Sequence, residues 1–267
     1  MAGMASSPRS QLAAVKRAVH ACRPLALRYF YAPSLRVSRK ADRSPVTAAD
    51  RAVETRLRAA LRRIAPGEPI IGEEFGGVRG AASTYWTIDP IDGTRAFARG
   101  LPTWCIMVGK VERGRPVLGV CDFPALETTI AVAPGVPAYE QMGRQTHRLA
   151  RAPRPPKRVE DVVLLHGGAN WWERSPYRTG FRRLIDRVFL ERAFGDCYGF
   201  LWAFHSQADV VIEYGVKVWD MVPLAALAHA TGRAMLDVRG RPSWSGPDTV
   251  MAAPSLARRV AAILRRK

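Results

Sequence analysis

Carboxylate residues with the spacing of a metal site are the chemically most informative feature of this sequence. Asp89 and Asp92 are separated by Pro90-Ile91, so a tight turn can aim both side chains at one point. Glu73 and Asp220 also lie where an apolar run ends. Mg²⁺ prefers oxygen ligands, and a pair of ions needs a shared carboxylate. These residues therefore predict a site for hard cations.

The residues after Asp92 have the composition of a phosphate site. Gly93-Thr94 predicts the start of a helix, where unpaired N–H groups and the positive end of the dipole favour phosphate. The same segment offers the Ile91 carbonyl as a further metal ligand. The alternative is structural, because Asp commonly caps helices. The segment from Asp89 to Thr94 by itself leaves both interpretations open.

Secondary-structure patterns predict what positions these residues. Tyr85-Trp86-Thr87-Ile88 predicts a strand that ends at Asp89. Thr47 predicts the N-cap of an amphipathic helix over 48–64. Trp219-Asp220 predicts the start of a helix that reaches about Thr231. Strands and helices alternate throughout, which predicts an α/β (α+β) fold of layered helices and sheets.

A stretch rich in Pro, Arg and Gly, residues 134–158, predicts the main internal boundary. We expect an N-terminal metal-binding lobe over 1–150 and a C-terminal lobe over 151–267. The second lobe would supply Asp220 and the substrate contacts. The metal site is therefore expected between the lobes, because Asp220 must come across from the second one.

Composition excludes several classes of protein. The chain is 48% hydrophobic and 24% charged, as ordinary globular proteins are. No segment approaches the roughly 20 apolar residues of a membrane helix, and the start lacks a secretory signal pattern. We therefore expect a cytoplasmic protein without a membrane partner. The four cysteines show no C-x-x-C spacing, which argues against structural zinc and a disulfide framework.

The net charge of +18 raises the question of nucleic-acid binding. However, the arginines are spread along the sequence, and neither an RNA-binding aromatic signature nor a helix-turn-helix pattern stands out. We therefore do not expect a nucleic-acid partner. A positive field that draws in a small phosphate monoester explains the charge more simply.

Four separated blocks resemble, in the same order, the inositol monophosphatase family of lithium-sensitive, metal-dependent phosphatases. They are Gly72-Glu73-Glu74, the segment 86–94, Trp219-Asp220, and the V-T-x-x-D-like segment 45–50 followed by Glu54. The similarity extends from about residue 12 to the C-terminus. It implies a layered αβαβα sandwich of the inositol monophosphatase type, with two closely packed lobes, and a homodimer.

The resemblance also implies which residues bind metal. Glu73, Asp89 and the Ile91 carbonyl would hold a first ion. Asp89, Asp92 and Asp220 would hold a second, and Glu73 could reach a third. The cofactor would be two or three Mg²⁺ ions, with Mn²⁺ as a substitute.

The catalytic roles follow from the same resemblance. Thr94, hydrogen-bonded to Asp50, would orient the water that the metal activates, and Glu73 would belong to the catalytic group. The N–H groups of Gly93 and Thr94 would bind the phosphate. Hydrolysis of a monoester in this way requires no covalent phospho-enzyme.

One block indicates a branch of the family. The segment 192–199, which contains Gly-Asp-Cys-Tyr-Gly, resembles the histidinol-phosphate phosphatases. Asp196 and Glu213 would then face the substrate and pair with the amine of histidinol phosphate. Glu213 could instead be a solvated charge at a strand end. Ala96 departs from the Ser that is usual in this branch, and residues 166–172 match no pattern of the family.

The function predicted is hydrolysis of L-histidinol phosphate, a step of histidine biosynthesis. Alternatives within the mechanism are inositol monophosphate, an adenosine bisphosphate and a sugar phosphate. An alternative of another class is a catalytically silent phosphate- or RNA-binding protein.

Overall fold

The structure, a computed structural model, describes residues 7–32, 37–39 and 45–266. The chain folds as two compact units, Met1–Arg148 and Leu149–Lys267. The roles predicted for a lobe ending at residue 150 and a lobe beginning at 151 stay predictions. No described helix is both long and apolar enough to span a membrane. The predicted cytoplasmic location stays a prediction.

The first unit contains three helices and nine strands among its described residues. In chain order these are α1 (Pro8–Phe30), β1 (Val37–Arg39), β2 (Pro45–Thr47), α2 (Ala48–Ile64), β3 (Ile70–Gly72), β4 (Tyr85–Asp92), α3 (Thr94–Phe97), β5 (Cys105–Glu112), β6 (Arg115–Phe123), β7 (Thr128–Ala133), β8 (Val136–Met142) and β9 (Gln145–Arg148).

A seven-stranded sheet organises this unit, in the order β3-β4-β5-β6-β7-β8-β9. The pairing is antiparallel except between β3 and β4, which run parallel. Buried side chains of α1 and α2, such as Val19 and Leu57, share one hydrophobic core with Ile88, Ile106 and Val120 of the sheet. Both helices therefore cover a single face of the sheet. β1 and β2 form a separate antiparallel pair.

The first half of the predicted boundary, 134–158, is not a linker but part of this sheet. It forms β8 and β9, each entered through a glycine with positive φ, Gly135 at 72° and Gly143 at 55°. These glycines mark hairpin turns, where a left-handed residue is needed. Ala138 and Glu140 alternate inward along β8. The turn composition of the first half thus belongs to hairpins, and the division between the two units falls after Arg148, within the predicted region.

The second unit contains five helices and five strands among its described residues. They are β10 (Val163–His166), α4 (Ala169–Glu173), α5 (Arg178–Ile185), β11 (Leu190–Arg192), α6 (Asp196–Phe204), β12 (Val210–Tyr214), α7 (Val218–Ala230), β13 (Ala234–Leu236), β14 (Asp248–Ala252) and α8 (Pro254–Arg265).

Its sheet has the order β11-β10-β12-β14-β13, and β10, β11 and β12 are parallel. Leu164 and Ile212 pack with α4, α5 and α8 on one face. On the other face, α6 approaches so closely that a Cβ on Gly199 would lie 3.8 Å from Val211. The carboxyl ends of the three parallel strands share one edge, where ligands commonly bind in such sheets.

The unassigned segment 166–172 spans the end of β10 and the start of α4. Its Trp172 is fully buried and stacks on Phe181, with ring centroids 5.5 Å apart. The segment therefore contributes Trp172 to the core and forms a loop at the carboxyl end of β10. Together the two units confirm the mixed α/β class that the sequence predicts.

Candidate active site

A bulge in β4 controls the orientation of Asp89 and Asp92. Asp89 pairs with Met107 of β5 and Asp92 pairs with Cys105, and the register shifts between them. Three residues of β4 thus span two residues of β5. Met107 and Cys105 are two residues apart on β5, so their side chains face the same side of the sheet. Residues directly opposite each other on paired strands also face the same side. The bulge therefore turns both carboxylates to one face, although a spacing of three would separate them on a regular strand.

Glu73 directly follows β3, the strand beside this pair. β3 runs parallel to β4 with Gly72 opposite Ile88, so Glu73 follows at the same level as Asp89. Its N–H donates to the Ile88 carbonyl oxygen at 3.1 Å. Glu73, Asp89 and Asp92 thus offer oxygen donors from neighbouring strand ends. An all-carboxylate donor set of this kind fits a hard divalent cation.

Glu54 fixes the loop that carries Glu73. It is fully buried, and its carboxylate accepts hydrogen bonds from the Glu74 N–H at 2.7 Å and from Arg58 Nε at 2.7 Å. Gly72 is required beside it, because a Cβ there would lie 2.0 Å from Glu54 Oε1. Glu54 belongs to one of the blocks that resemble the family, but the sequence patterns assign it no role. A signal was available, since it is a charged residue on the apolar face of α2.

Asp50 and Thr94 meet as the resemblance implies. The Thr94 hydroxyl has two hydrogen-bond acceptors within reach of its one hydrogen, Asp50 Oδ1 at 3.4 Å and the Ile91 carbonyl oxygen at 3.0 Å. The other oxygen of Asp50 accepts from the Thr47 N–H at 2.7 Å and the Thr47 hydroxyl at 2.6 Å, which completes the capping box of α2. Helix capping and the predicted proton-handling pair thus use one carboxylate.

The electrostatics around Asp50 favour proton exchange. Burial raises the pKa of Asp50 above its ordinary value, and the negative charge of Glu73 acts in the same direction. The hydrogen bonds from Thr47 oppose this shift. A carboxylate with a raised pKa accepts a proton from a neighbouring hydroxyl more readily than an ordinary one.

Gly93 allows the chain to turn from β4 into α3. Its φ of 82° is left-handed, and it caps a helix of only four residues. Phe97 anchors that helix through an edge-to-face contact with Trp104, with centroids 4.8 Å apart. The predicted binding of phosphate by the N–H groups of Gly93 and Thr94 stays a prediction.

Asp220 belongs to the second unit and lies in the first turn of α7. Its Oδ2 accepts a hydrogen bond from the Lys217 N–H at 2.7 Å, so it caps the helix as Asp50 caps α2. One carboxylate oxygen thus has a structural role. Its predicted role as a metal ligand stays a prediction.

Glu213 and Asp196 lie together at the carboxyl ends of the parallel strands of the second unit. Glu213 is buried, and its Oε1 accepts a hydrogen bond from the Asp196 N–H at 3.1 Å. A Cβ on Gly167 would lie 1.8 Å from Glu213 Oε2, so only glycine leaves room for this carboxylate. Gly195 also crowds Gly167, with its Cβ position 3.0 Å from that Cα. Glu213 is therefore packed in place rather than a solvated strand-end charge.

Two exposed aromatic side chains near this edge were not singled out from the sequence. Trp171 is 42% exposed and lies against Gly215, which follows β12, with its ring 3.5 Å from the Cβ position of that glycine. Phe194 is also 42% exposed and precedes Gly195. Exposed aromatic side chains at a strand edge are a signal that only the fold makes visible.

Comparison with known proteins agrees with this geometry. The inositol monophosphatase family matches residues 9–267. The chain is 35% identical to the histidinol-phosphatase of Mycobacterium tuberculosis over 218 residues, 79% of this chain and 81% of the relative. It is 29% identical to the inositol-1-monophosphatase of Mycobacterium bovis over 234 residues, 83% of this chain and 78% of the relative. The relatives are named for two different substrates, so the comparisons do not identify the substrate of this chain.

Comparison with solved structures also identifies the inositol monophosphatase family. The solved inositol monophosphatase of Zymomonas mobilis is 26% identical, covers 98% of this chain and 100% of its own, and has a TM-score of 0.83. The predicted inositol monophosphatase type of fold is therefore confirmed. The family is metal-dependent, in keeping with the carboxylates at the ends of β3 and β4. The chain belongs to the inositol monophosphatase family and is a phosphatase, that is, a phosphoric monoester hydrolase.

Proposed function

We propose that this phosphatase hydrolyses a small phosphate monoester with Mg²⁺ held by Glu73, Asp89, the Ile91 carbonyl, Asp92 and Asp220. The orientation of Asp89 and Asp92 to one face of β4 is the observation that carries this proposal. Two or three ions would bind, and Mn²⁺ would substitute. Bound Mg²⁺ would neutralise phosphate oxygens and lower the pKa of the attacking water.

The protein's own contribution is to position that water and its proton. Thr94 Oγ1 lies between the Ile91 carbonyl and Asp50, so a water that hydrogen-bonds to Thr94 is held at a fixed point. Asp50, whose pKa burial raises, receives the proton through the Thr94 hydroxyl. The N–H groups of Gly93 and Thr94 bind the phosphate. A covalent phospho-enzyme is not required.

For the substrate, we propose L-histidinol phosphate. The 35% identical histidinol-phosphatase supports this choice. Glu213 adds chemical support, because a buried carboxylate at the strand edge suits an ammonium group. The aromatic rings of Trp171 and Phe194 would suit the flat imidazole and its partial positive charge. A myo-inositol phosphate has neither an ammonium group nor an aromatic ring to use these groups.

A phosphate-release screen tests the proposal directly. Histidinol phosphate, myo-inositol 1-phosphate, an adenosine bisphosphate, a sugar phosphate and glycerol phosphate are compared at equal concentrations with Mg²⁺. We expect the highest kcat/KM for histidinol phosphate. A higher kcat/KM for any ester without an ammonium group would contradict the proposed substrate. The absence of phosphate release from every ester would contradict the proposed catalytic activity. Gel filtration with light scattering tests the homodimer, which also stays a prediction.

A further inference from the structure

The outer surface of α1 and α2 carries positive charge without compensation. The acidic residues of these two helices are Asp50 and Glu54, and both are fully buried. The exposed charged residues of the pair are all arginines: Arg9, Arg17 and Arg28 on α1, and Arg51, Arg56, Arg62 and Arg63 on α2. The exposed charge of this surface, which we call the α1–α2 arginine face, is therefore of one sign.

These arginines form stripes along the helices. Arg17 and Arg28 are eleven positions apart, as are Arg51 and Arg62, and eleven residues are close to three helical turns. Each such pair therefore shares one side of its helix and spans roughly 17 Å. α1 and α2 pack side by side and share one hydrophobic core, so their exposed arginines lie on neighbouring outer surfaces.

Two exposed arginines of the second unit, by comparison, have carboxylate partners. Arg182 pairs with Glu173 at 2.5 Å and Arg187 pairs with Glu160 at 3.0 Å. Within the described ranges, none of the seven arginines of the α1–α2 face has a carboxylate partner. Mixed signs on a surface favour solubility, whereas a single-sign surface creates a directed field. The α1–α2 face therefore has the electrostatics of a binding surface for a polyanion.

We propose that the α1–α2 arginine face binds the phosphodiester backbone of a nucleic acid, without reading its bases. Duplex DNA carries a negative charge about every 1.7 Å of its axis when both strands are counted, so about ten phosphates lie along a stripe of roughly 17 Å and a fraction of them face it. Guanidinium groups form bidentate hydrogen bonds with phosphate oxygens. Arginines occur along the whole sequence, which argued against such a role, but the seven on this helix pair are exposed and no exposed carboxylate of the pair accompanies them. This binding is independent of the proposed phosphatase substrate.

The test compares two variants that remove the same number of charges. R17Q/R56Q/R62Q/R63Q neutralises part of the α1–α2 face. R113Q/R115Q/R144Q/R148Q neutralises four exposed arginines at turns and strands of the seven-stranded sheet. Binding of a fluorescent DNA duplex, an RNA duplex and an RNA single strand, each of about 20 nucleotides, is measured by anisotropy between about 50 and 200 mM salt.

The wild-type chain should bind with an affinity that falls as salt rises, and the α1–α2 variant should bind at least about tenfold more weakly at low salt. Its slope of log K against log salt should be shallower by about three, whereas the control should stay near the wild type. The three probes distinguish DNA from RNA and duplex from single strand. Phosphate release and the thermal midpoint should be unchanged in both variants, and R62Q/R63Q alone should give about half of the change in slope.

Several results would overturn the proposal. Equal losses in the two variants would mean that net charge alone drives binding. The absence of wild-type binding to all three probes at about 50 mM salt would also refute it. Binding to phosphatidylserine vesicles with no binding to nucleic acid would assign the face to a membrane instead.

Discussion

At the scale of single residues, carboxylates that cap helices also serve the candidate site. Asp50 completes the capping box of α2 and lies 3.4 Å from the Thr94 hydroxyl. Asp220 caps α7 in the same way. The first turn of a helix holds a side chain rigidly and directs N–H groups toward it. The capping alternative and the catalytic one are therefore compatible for these residues.

Removal of the Thr94 hydroxyl should lower turnover more than affinity. Thr94→Ala should lower kcat by about 10²-fold or more, the usual effect of losing a positioned proton-transfer group. KM should change little, because the side chain is not expected to hold the leaving group. Thr94→Ser, which keeps the hydroxyl, is the matched control. Steady-state kinetics in which KM rises steeply at constant kcat would show that the assigned role is wrong.

Loss of the Glu213 charge should remove a preference for a cationic substrate. Glu213→Gln should lower kcat/KM for histidinol phosphate by about 10- to 100-fold, the effect of losing a charge-assisted hydrogen bond. Glycerol phosphate has no ammonium group, so its rate should change only a few-fold. Glu127→Gln, at an exposed position of the first unit, is the control. Equal losses on both substrates would mean that Glu213 only supports the fold.

At the scale of elements, strand irregularities and close glycine contacts determine where functional groups lie. The bulge in β4 turns Asp89 and Asp92 to one face. Gly72 and Gly167 leave space for the buried carboxylates of Glu54 and Glu213. These contacts join residues that are distant in sequence. They could not be read from local patterns.

Asp248, at the start of β14, should make the stability of the folded state depend on pH. Burial raises the pKa of Asp248, although its Oδ1 accepts a hydrogen bond from the Val238 N–H at 2.6 Å. An acid whose folded pKa is raised loses stability as pH rises from its unfolded value, 3.8, through the folded value. The loss is complete above the folded pKa, and below pH 3.8 it is absent.

Asp248→Asn should therefore flatten this part of the pH profile. The thermal midpoint of the variant, relative to wild type, should rise as pH increases from about 3.5 to 7, because Asn keeps an acceptor and never ionises. Asp186→Asn, at an exposed position after α5, should leave the profile unchanged. A constant difference between wild type and Asp248→Asn across this range would rule out the proposed cost of ionisation.

At the scale of the whole molecule, the dependence of activity on metal ions is the property to test. Exhaustive treatment with EDTA should abolish phosphate release, and Mg²⁺ should restore it, because carboxylates alone cannot neutralise the phosphate. Millimolar Li⁺ should inhibit, as the family resemblance implies. Release of phosphate at the full rate after chelation would exclude the metal mechanism, and a matched NaCl series controls for ionic strength.

Sequence patterns alone were sufficient to predict the fold class and the family. The helix over 48–64, with Thr47 as its N-cap, was predicted with the bounds that the structure has. Local signals suffice there, because a cap and an amphipathic pattern are properties of neighbouring residues. The acidic blocks also identified the phosphatase family, which the family match over residues 9–267 confirms.

Features that depend on contacts between distant segments became visible only in the folded chain. The structure showed that 134–148 contains two strands of the sheet, that Glu54 holds the loop of Glu73, and that Glu213 is packed beneath Gly167. It also showed which arginines of α1 and α2 are exposed. Side-chain direction along a bulged strand and the proximity of separate segments are set by packing, which a local sequence pattern does not encode.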